Sequence, residues 1–324
     1  MAFQRMSTPL EPRFIQHPTG DAAAELAELR AGLVAPAAHI APKYFYDRLG
    51  SRLFEAITEL PEYYPTRTEA AIFAAHAPQM ANCIGPGSTL VDLGAGNCAK
   101  AASLFPLLEP SRYVAVDISV DFLREALHRV QREHPQIEMT GVGLDFTASL
   151  DLPDALIAGR PVYFYPGSSI GNFTPGDAVS FLRRVRDKAQ HGGLLIGVDL
   201  VKPHALLQAA YDDALGVTAA FNLNMLRHVN RRLDSDFDPS QWRHVALFDA
   251  AQSRIEMHLE AREALDVTWP GGGRHFQTGE RIHTESSYKY RLEDFSSLLR
   301  DAGFSPQHHW TDELVGFAVI WAKA

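Results

Sequence analysis

The chain has 324 residues, of which 46% are hydrophobic and 21% are charged, and its formal net charge is −9. This is the composition of a globular protein with enough apolar material for one large domain or two smaller ones. An acidic surface repels phosphate backbones and argues against a nucleic-acid partner, and no apolar run is long enough to cross a bilayer. Cys83 and Cys98 offer neither a zinc spacing nor a disulfide framework, so we expect a cytoplasmic protein.

The N-terminal part of the chain is predicted to be mainly helical. Residues 1–19 are polar, contain several prolines and lack the apolar core of a signal peptide, so we expect a loose arm. Residues 21–35 carry leucines at helical spacing. Residues 43–80 are predicted to form helices broken at Pro61 and Pro65, and they are rich in aromatic side chains.

From residue 88 onward, strand and helix signals alternate. The predicted strands cover residues 88–93, 112–117, 137–144, 161–165 and 193–199. Helices are predicted between several of them, for example from Asn97 to Phe105 and from Thr174, whose side chain can cap the helix. Strands that alternate with helices form βαβ units and a mostly parallel sheet, which binds ligands at the carboxyl ends of its strands.

This alternation ends near Lys202-Pro203. The segment that follows is predicted to contain a helix over residues 205–230 and strands over residues 254–261 and 283–292. A final helix over residues 292–302 and a last strand over residues 315–322 close the chain. The simplest arrangement is an α/β sheet domain with a second domain inserted before its final strands.

The first predicted strand leads into a glycine turn, VDLGAGNCAK. The spacing Gly94-x-Gly96-x-x-Ala99 fits a loose dinucleotide fingerprint, although a tight turn without a ligand gives the same pattern. Asp92 beside the turn would repel a pyrophosphate and attract a cation. S-adenosylmethionine offers such a cation in its sulfonium, and an amino group as well.

Two more acids follow the next two strands. Asp117 ends the second predicted strand, where it can accept hydrogen bonds from ribose hydroxyls or serve as a helix cap. Asp145 follows the third strand and can bind an adenine amino group, while Phe146 covers the ring. Three acids at successive strand ends favour S-adenosylmethionine over a nicotinamide cofactor.

Four stretches resemble the histidine Nα-methyltransferases of ergothioneine biosynthesis. They are KYFYDRLGSRLFEAITELPEYYPTRTE (43–69), VDLGAGNCAK (91–100), YFYPGSSIGNF (163–173) and IHTESSYKY (282–290). The resemblance implies a Rossmann-like methyltransferase sheet with helices on both faces, plus a second α+β substrate domain. We therefore expect an arm and part of the substrate domain in residues 1–67, the S-adenosylmethionine-binding domain in 68–202, the inserted substrate domain in 203–291, and a return to the first domain in 292–324.

The resemblance implies methylation of the α-amino group of L-histidine, with up to three transfers giving N,N,N-trimethylhistidine (hercynine). A neutral amine that attacks a sulfonium changes no net charge, so positioning should supply most of the rate. The alternative within the same class is a methyltransferase for another amino acid or for a modified histidine such as a thiohistidine. A nicotinamide oxidoreductase and a non-catalytic amino-acid-binding protein are the alternatives from other classes.

The resemblance also assigns roles to particular side chains. It implies that Asn172 and Tyr211 hold the α-substituents of histidine and that Tyr46 orients the amine, which makes Tyr46 and Asn172 the candidate catalytic residues. Glu285 and Ser287 alternate on a predicted strand and face the same way; the resemblance implies that they bind the two ring nitrogens.

The complete predicted site has a substrate side and a cofactor side. The substrate residues are Tyr46, Tyr63, Gly167, Asn172, Tyr211, Met257, Glu285 and Ser287; the cofactor residues are Asp92, Gly94, Gly96, Lys100, Asp117, Asp145 and Phe146. Met257 fits core packing equally well, and Lys100 either reaches a ligand carboxylate or points into water. We expect no metal, no nucleic-acid or membrane partner, and a monomer.

Overall fold

The computed structural model describes residues 10–16 and 22–324, which form an α/β architecture with three β-sheets. The helices are α1 (Ala22–Val34), α2 (Arg48–Thr58), α3 (Tyr64–Ile84), α4 (Ala99–Leu108), α5 (Val120–Glu133), α6 (Pro175–Lys188), α7 (His204–Ala209), α8 (Val217–Leu233) and α9 (Leu292–Asp301). The strands are β1 (Arg13–Gln16), β2 (Thr89–Leu93), β3 (Arg112–Asp117), β4 (Glu138–Gly143), β5 (Pro161–Tyr165), β6 (Gly193–Asp199), β7 (Trp242–Asp249), β8 (Arg254–Ala261), β9 (Leu265–Trp269), β10 (Gly272–Phe276), β11 (Arg281–Tyr288), β12 (Ser305–Thr311) and β13 (Phe317–Lys323). Short 3-10 helices cover Pro42–Phe45, Ser169–Asn172 and Pro239–Gln241.

The largest sheet has eight strands in the order β1-β4-β3-β2-β5-β6-β13-β12. Strands β1 to β6 run parallel, β13 lies antiparallel to β6, and β12 pairs with β13 as a C-terminal hairpin. The strand order reverses between β2 and β5, so the loops after these strands leave the same edge in opposite directions and open a crevice there. The predicted Rossmann-like α/β fold is confirmed.

Helices cover both faces of this sheet. Alternation along β2 sends Leu90 toward the layer of α3, α4 and α5, and sends Val91 and Leu93 toward the layer of α6 and α9. Strands β2, β5 and β6 are buried over their whole length, as strands covered on both faces must be.

A further hydrophobic cluster gathers the N-terminal helices, α8 and the three-stranded antiparallel sheet β7-β8-β11. Leu33 and Phe45 come from the N-terminal segment, Met225 from α8, and Trp242 and Leu259 from β7 and β8. The N-terminal segment and the segment that follows β6 therefore pack together in one apolar cluster, and β11 links this cluster to the large sheet.

Residues 13–16 form the edge strand β1, where the sequence predicted a loose arm. The ring of Phe14 packs so closely on β4 that a methyl group built on Gly141 would lie 2.8 Å from it, and the Arg124 guanidinium covers the ring at 4.6 Å. This packing explains why so short a strand stays paired in parallel with β4. Residues 1–9 and 17–19 of the predicted arm lie outside the described residues.

Two predicted helices have different bounds in the structure. The helix expected from Asn97 begins at Ala99, because Cys98 adopts a left-handed φ of 60° and the Asn97 side chain accepts the N–H of Ala99. The helix expected over 205–230 is divided into α7 and α8, because the Asp213 carboxylate accepts backbone N–H groups at the start of α8.

Two predicted strands differ only at their ends. The strand expected over 283–292 is β11, which ends at Tyr288, and the strand expected over 315–322 is β13, which begins at Phe317. Within residues 10–16 and 22–324, no helix is both long and apolar enough to span a membrane.

Candidate active site

The glycine turn after β2 lies at the carboxyl edge of the parallel strands. Gly94 and Gly96 have φ values of 73° and 53°, in the left-handed region that glycine adopts without penalty. The N–H groups of Gly94 and Ala95 both donate to the carbonyl of Val116 in β3. A methyl group built on Gly94 would lie 3.7 Å from the ring of Phe146. The turn thus leaves its backbone open to close approach by a ligand, with an aromatic ring beside it.

Asp117 ends β3 and is held in place by the backbone. Its Oδ2 accepts the N–H of Gly96 at 2.9 Å and its Oδ1 accepts the N–H of Ser119 at 2.8 Å. Burial raises the pKa of Asp117 above its ordinary value, and these N–H donors oppose the shift. A carboxylate has about four lone-pair positions, so Asp117 keeps acceptor capacity for the hydroxyl groups of a ligand.

Asp92 lies within β2 and shares the face of Leu90, below the turn. Its Oδ2 accepts the hydroxyl of Tyr113 at 2.7 Å, and its buried Oδ1 has no hydrogen-bond partner among the described residues. Burial raises the pKa of Asp92 to about 7. One oxygen of this carboxyl group therefore stays free for an additional donor.

Asp145 follows β4 and is bound by its own turn. Its Oδ1 accepts both the N–H and the hydroxyl of Thr147. Its Oδ2 lies 3.7 Å from Nζ of Lys43, which also contacts Glu28 at 2.7 Å. The acid predicted to bind adenine is therefore also in contact with the N-terminal segment.

A buried glutamate that the sequence analysis missed links the two sides of the crevice. The side chain of Glu69, in α3, is fully buried; its Oε2 accepts Nζ of Lys100 at 2.6 Å and its Oε1 accepts the N–H of Gly167 at 2.8 Å. A methyl group at Gly197 would collide with this carboxylate. Lys100 is thus anchored at the crevice by an ion pair.

The loop after β5 carries Asn172 over the crevice. Ser168 adopts a left-handed φ of 60°, and the 3-10 helix that follows packs on β11 so closely that a methyl group at Gly171 would lie 2.8 Å from the carbonyl oxygen of Tyr288. Nδ2 of Asn172 donates to Oε2 of Glu285 at 3.3 Å. The loop from the large sheet and the strand from the inserted segment therefore meet at this amide.

Glu285 is a buried carboxyl group on β11, with 7% of the residue exposed. It lies opposite Met257 of β8, next to a register shift that follows His283, and directly opposed residues share one face of a sheet. Burial raises the pKa of Glu285 to about 7, while the charge of Lys289 and the hydrogen bond from Asn172 oppose the shift.

Ser287 lies two residues farther along the same face. Its Oγ accepts the hydroxyl of Tyr211 at 2.8 Å and Nζ of Lys289 at 2.8 Å. Lys289 in turn pairs with Asp199, the last residue of β6, at 2.9 Å. Ser287 of the predicted pair is therefore linked through Lys289 to Asp199 in the large sheet.

Tyr46 and Tyr63 approach the crevice from the N-terminal segment. The ring of Tyr63 meets that of Tyr211 edge-on, with centroids 6.4 Å apart. Burial, followed by the negative charges of Glu285 and Asp117, raises the pKa of Tyr46 well above 10. Tyr46 is therefore near both the predicted substrate side and the predicted cofactor side, and its phenol stays protonated at neutral pH.

The structure thus brings residues from distant parts of the chain to one crevice, and it adds partners that the sequence analysis did not name. The added side chains are Glu69, Tyr64, Asp199, Lys202 and Lys289. Asp199 ends a predicted apolar strand and Lys289 continues the alternation of Glu285 and Ser287, so both carried a signal in the sequence. In the part of the chain that is described, no three His, Cys, Asp or Glu side chains are placed to hold a metal ion.

Comparisons with known proteins identify the family of this chain. Residues 25–324 match the family model of S-adenosylmethionine-dependent, histidine-specific methyltransferases. The chain is 41% identical to a histidine N-alpha-methyltransferase from Mycolicibacterium smegmatis, over 93% of this chain and 96% of that protein. It is 39% identical to the protein of the same name from Mycobacterium tuberculosis, over 94% and 97% of the two chains.

A fungal relative is similar over part of its length. Ergothioneine biosynthesis protein 1 from Neurospora crassa is 31% identical over 82% of this chain, which corresponds to 31% of that longer protein. The family match and the two mycobacterial relatives extend over nearly the whole chain and confirm the resemblance found in the sequence. The chain belongs to the family of S-adenosylmethionine-dependent, histidine-specific methyltransferases.

Proposed function

We propose that this protein transfers methyl groups from S-adenosylmethionine to the α-amino nitrogen of L-histidine, up to three times, and so supplies N,N,N-trimethylhistidine for ergothioneine biosynthesis. The observation that carries the proposal is the buried pair on β11. Glu285 and Ser287 face the same way, and Asn172 from the large sheet contacts Glu285 at 3.3 Å. Relatives named histidine N-alpha-methyltransferase support the same substrate.

The residues at the glycine turn fit the cofactor of this family. The turn is open at Gly94, Phe146 stands 3.7 Å from a methyl group built there, and Asp117 keeps lone pairs for hydroxyl groups. Asp92 holds an unpaired buried oxygen, and Lys100 supplies a positive charge near Gly167. S-adenosylmethionine supplies an electrophilic methyl group on a sulfonium.

Each part of the cofactor can be matched to side chains of suitable hydrogen-bonding type and charge. We assign Asp117 to the ribose hydroxyls, Asp145 and Phe146 to the adenine, and the backbone at Gly94 and Gly96 with Lys100 to the amino-acid end of the cofactor. These groups bind and orient the donor, and they take no part in bond making.

For the substrate, Glu285 accepts a ring N–H and Ser287 contacts the other ring nitrogen. Such a pair discriminates strongly against apolar side chains, because a wrong ligand leaves buried polar groups without partners. Asn172 and Tyr211 stand next to the pair and hold the α-substituents, and Tyr63 and Met257 line the site.

The amine must be neutral when it attacks, because its lone pair is the nucleophile. Tyr46 orients this amine as a hydrogen-bonding phenol; its raised pKa makes it a poor general base. Three successive transfers require that the nitrogen turn while the ring stays fixed. Anchoring the substrate through its ring at Glu285 and Ser287 meets that requirement.

We also propose the division of labour expected from the sequence. Residues 1–67 and 203–291 provide most of the substrate side, and residues 68–202 and 292–324 provide the cofactor side. The shared cluster of Leu33, Phe45 and Met225 supports this division, while β1 joins the large sheet. We propose a cytoplasmic monomer, and light scattering tests its oligomeric state.

The test is mass spectrometry of the products formed from L-histidine and S-adenosylmethionine. We expect mono-, di- and trimethylhistidine to appear in sequence. A panel of other amino acids and thiohistidines, each supplied alone, tests specificity. Faster methylation of any of them than of histidine would contradict the proposed substrate.

A variant pair links the activity to the site. Glu285→Ala should lower histidine turnover far more than it lowers cofactor affinity, because the carboxylate faces the substrate side. Glu133→Ala, at an exposed glutamate of α5, is the matched control and should keep wild-type activity. If Glu285→Ala retains full histidine activity, the ring-binding assignment is wrong.

A further inference from the structure

A buried ion pair lies directly behind the two proposed ring-binding residues. The side chains of Lys289 and Asp199 are each 1% exposed, and Nζ lies 2.9 Å from Oδ2. Asp199 also accepts the hydroxyl of Tyr64 at 2.6 Å and pairs with Lys202. Burial opposes the ionisation of Lys289, but the charge of Asp199 outweighs it and raises the pKa of the lysine. Lys289 is therefore a permanent ammonium group at neutral pH.

This ammonium group has three protons and three acceptors. One proton goes to Asp199, the second to Oγ of Ser287 at 2.8 Å and the third to the hydroxyl oxygen of Tyr211 at 3.2 Å. A lysine ammonium can only donate. Both hydroxyl oxygens must therefore accept from Lys289, whatever else they bind.

The same count fixes the direction of the Ser287 hydroxyl group. A hydroxyl has two acceptor lone pairs and one proton. One lone pair of Ser287 Oγ accepts an N–H of Lys289, and the other accepts the hydroxyl of Tyr211, which is 2.8 Å away. The phenol is the more acidic hydroxyl and acts as the donor in that contact. Ser287 is left with one unused group, its proton, and can act toward a ligand only as a donor.

The neighbouring Glu285 has the opposite character. Its Oε2 accepts from Asn172, and the positive charge of Lys289 favours its ionised form. Residues two apart on a strand lie about 7 Å apart. One face of β11 thus presents an acceptor, Glu285, beside a donor, Ser287. Lys289 favours the ionised form of Glu285 and occupies a lone pair of Ser287.

We propose that Lys289 is a positioning residue that sets Ser287 as a donor, so that the site binds the substrate imidazole only as a neutral ring, with its N–H toward Glu285 and its bare nitrogen toward Ser287. The inference rests on histidine being the substrate. A neutral imidazole has one donor and one acceptor nitrogen, whereas an imidazolium has two donors. An imidazolium would face Ser287 donor to donor, because Ser287 has no free lone pair.

The test compares two ligands whose rings differ in basicity. L-histidine titrates near pH 6.5, whereas fluorination at ring carbon 2 keeps 2-fluoro-L-histidine neutral over the whole range studied. Calorimetry on protein saturated with S-adenosylhomocysteine gives the Kd of each ligand between pH 5 and pH 8. The ratio of the two Kd values at each pH cancels the titration of Glu285 in the free protein.

For the wild-type protein we expect the Kd of L-histidine, divided by the Kd of 2-fluoro-L-histidine, to rise about tenfold for each pH unit below the histidine ring pKa, because a proton must leave before histidine binds. Lys289→Met frees a lone pair on Ser287, which can then accept from an imidazolium. The rise in the ratio should therefore shrink to less than about twofold for each pH unit. Tyr211→Phe frees a lone pair in the same way and should also flatten the rise. Lys202→Met is the matched control: it removes the other lysine from Asp199 but leaves Ser287 saturated, so the wild-type slope should remain.

The outcomes separate the possibilities. A purely structural role for Lys289 would change both Kd values by one factor at every pH and leave the slope intact, which would overturn the inference. A flat ratio in the wild-type protein would overturn it as well. If Lys289→Met no longer binds S-adenosylhomocysteine, the Tyr211→Phe slope decides. Absence of methyl transfer to histidine at pH 8 would refute the proposed function instead, because the inference can fail while transfer persists.

Discussion

Replacing Glu285 by glutamine should stabilise the protein at pH 8 while it weakens histidine binding. The carboxyl group is buried, and burial raises its pKa from 4.5 to about 7 in the folded protein. Between these two pH values the folded state holds a proton that the unfolded state has released. The free energy of unfolding therefore falls as pH rises through this window. Glutamine keeps the shape and can still accept from Asn172, but it carries no charge to bury.

The size of the effect follows from the pKa shift. A shift of 2.5 units, from 4.5 to about 7, corresponds to about 3 kcal/mol of destabilisation by the ionised carboxylate at pH 8. At pH 5 the folded state remains protonated, and the same linkage gives less than about 1 kcal/mol. Glu285→Gln should thus raise the free energy of unfolding by up to about 3 kcal/mol at pH 8 and by much less at pH 5.

Urea unfolding at pH 5 and pH 8, followed by circular dichroism, measures this difference. Glu133→Gln, at an exposed site in α5, is the control and should change stability by less than about 0.5 kcal/mol at either pH. Calorimetry with L-histidine should show affinity about tenfold lower or worse for Glu285→Gln, because a charge-assisted hydrogen bond is lost. An equal change in stability at both pH values would refute the reasoning.

Three further variants test other parts of the structure. Asp117→Asn places an amide NH2 against one of its two backbone donors, and calorimetry should show at least about tenfold weaker binding of S-adenosylhomocysteine; unchanged affinity would remove Asp117 from the cofactor site. Gly94→Ala forces a side chain into a φ of 73°, and urea unfolding should show a loss of about 1 kcal/mol; no loss would mean that the turn relaxes. Thr174→Ala removes the cap that accepts the N–H of Asp177 at the start of α6, and it should cost about 1 kcal/mol with normal activity; a loss of activity would contradict a purely structural cap.

Local patterns in the sequence were sufficient to predict strands β2 to β6 and one feature of the site. The strands over 112–117 and 193–199 were predicted with the correct bounds. Continuous apolar runs bounded by turn residues are typical of strands buried on both faces. The facing of Glu285 and Ser287 followed from the two-residue period of a strand. Strands such as β1 and β12 were missed because their sequences, RFIQ and SPQHHWT, are polar or short, and only pairing at a sheet edge orders them.

Strands β2 to β6, the glycine turn and, through its motifs, the family could be inferred from the order of residues along the chain. Which of these residues come into contact depends on how distant segments pack. Asn172 and Glu285 are separated by 113 positions, and Tyr211 and Ser287 by 76. The ion pair of Lys289 with Asp199 likewise depends on how β11 comes to lie on the large sheet. Periodicity and turn chemistry act over a few residues, whereas the partners and pKa values of these groups depend on burial against distant segments, which no local pattern records.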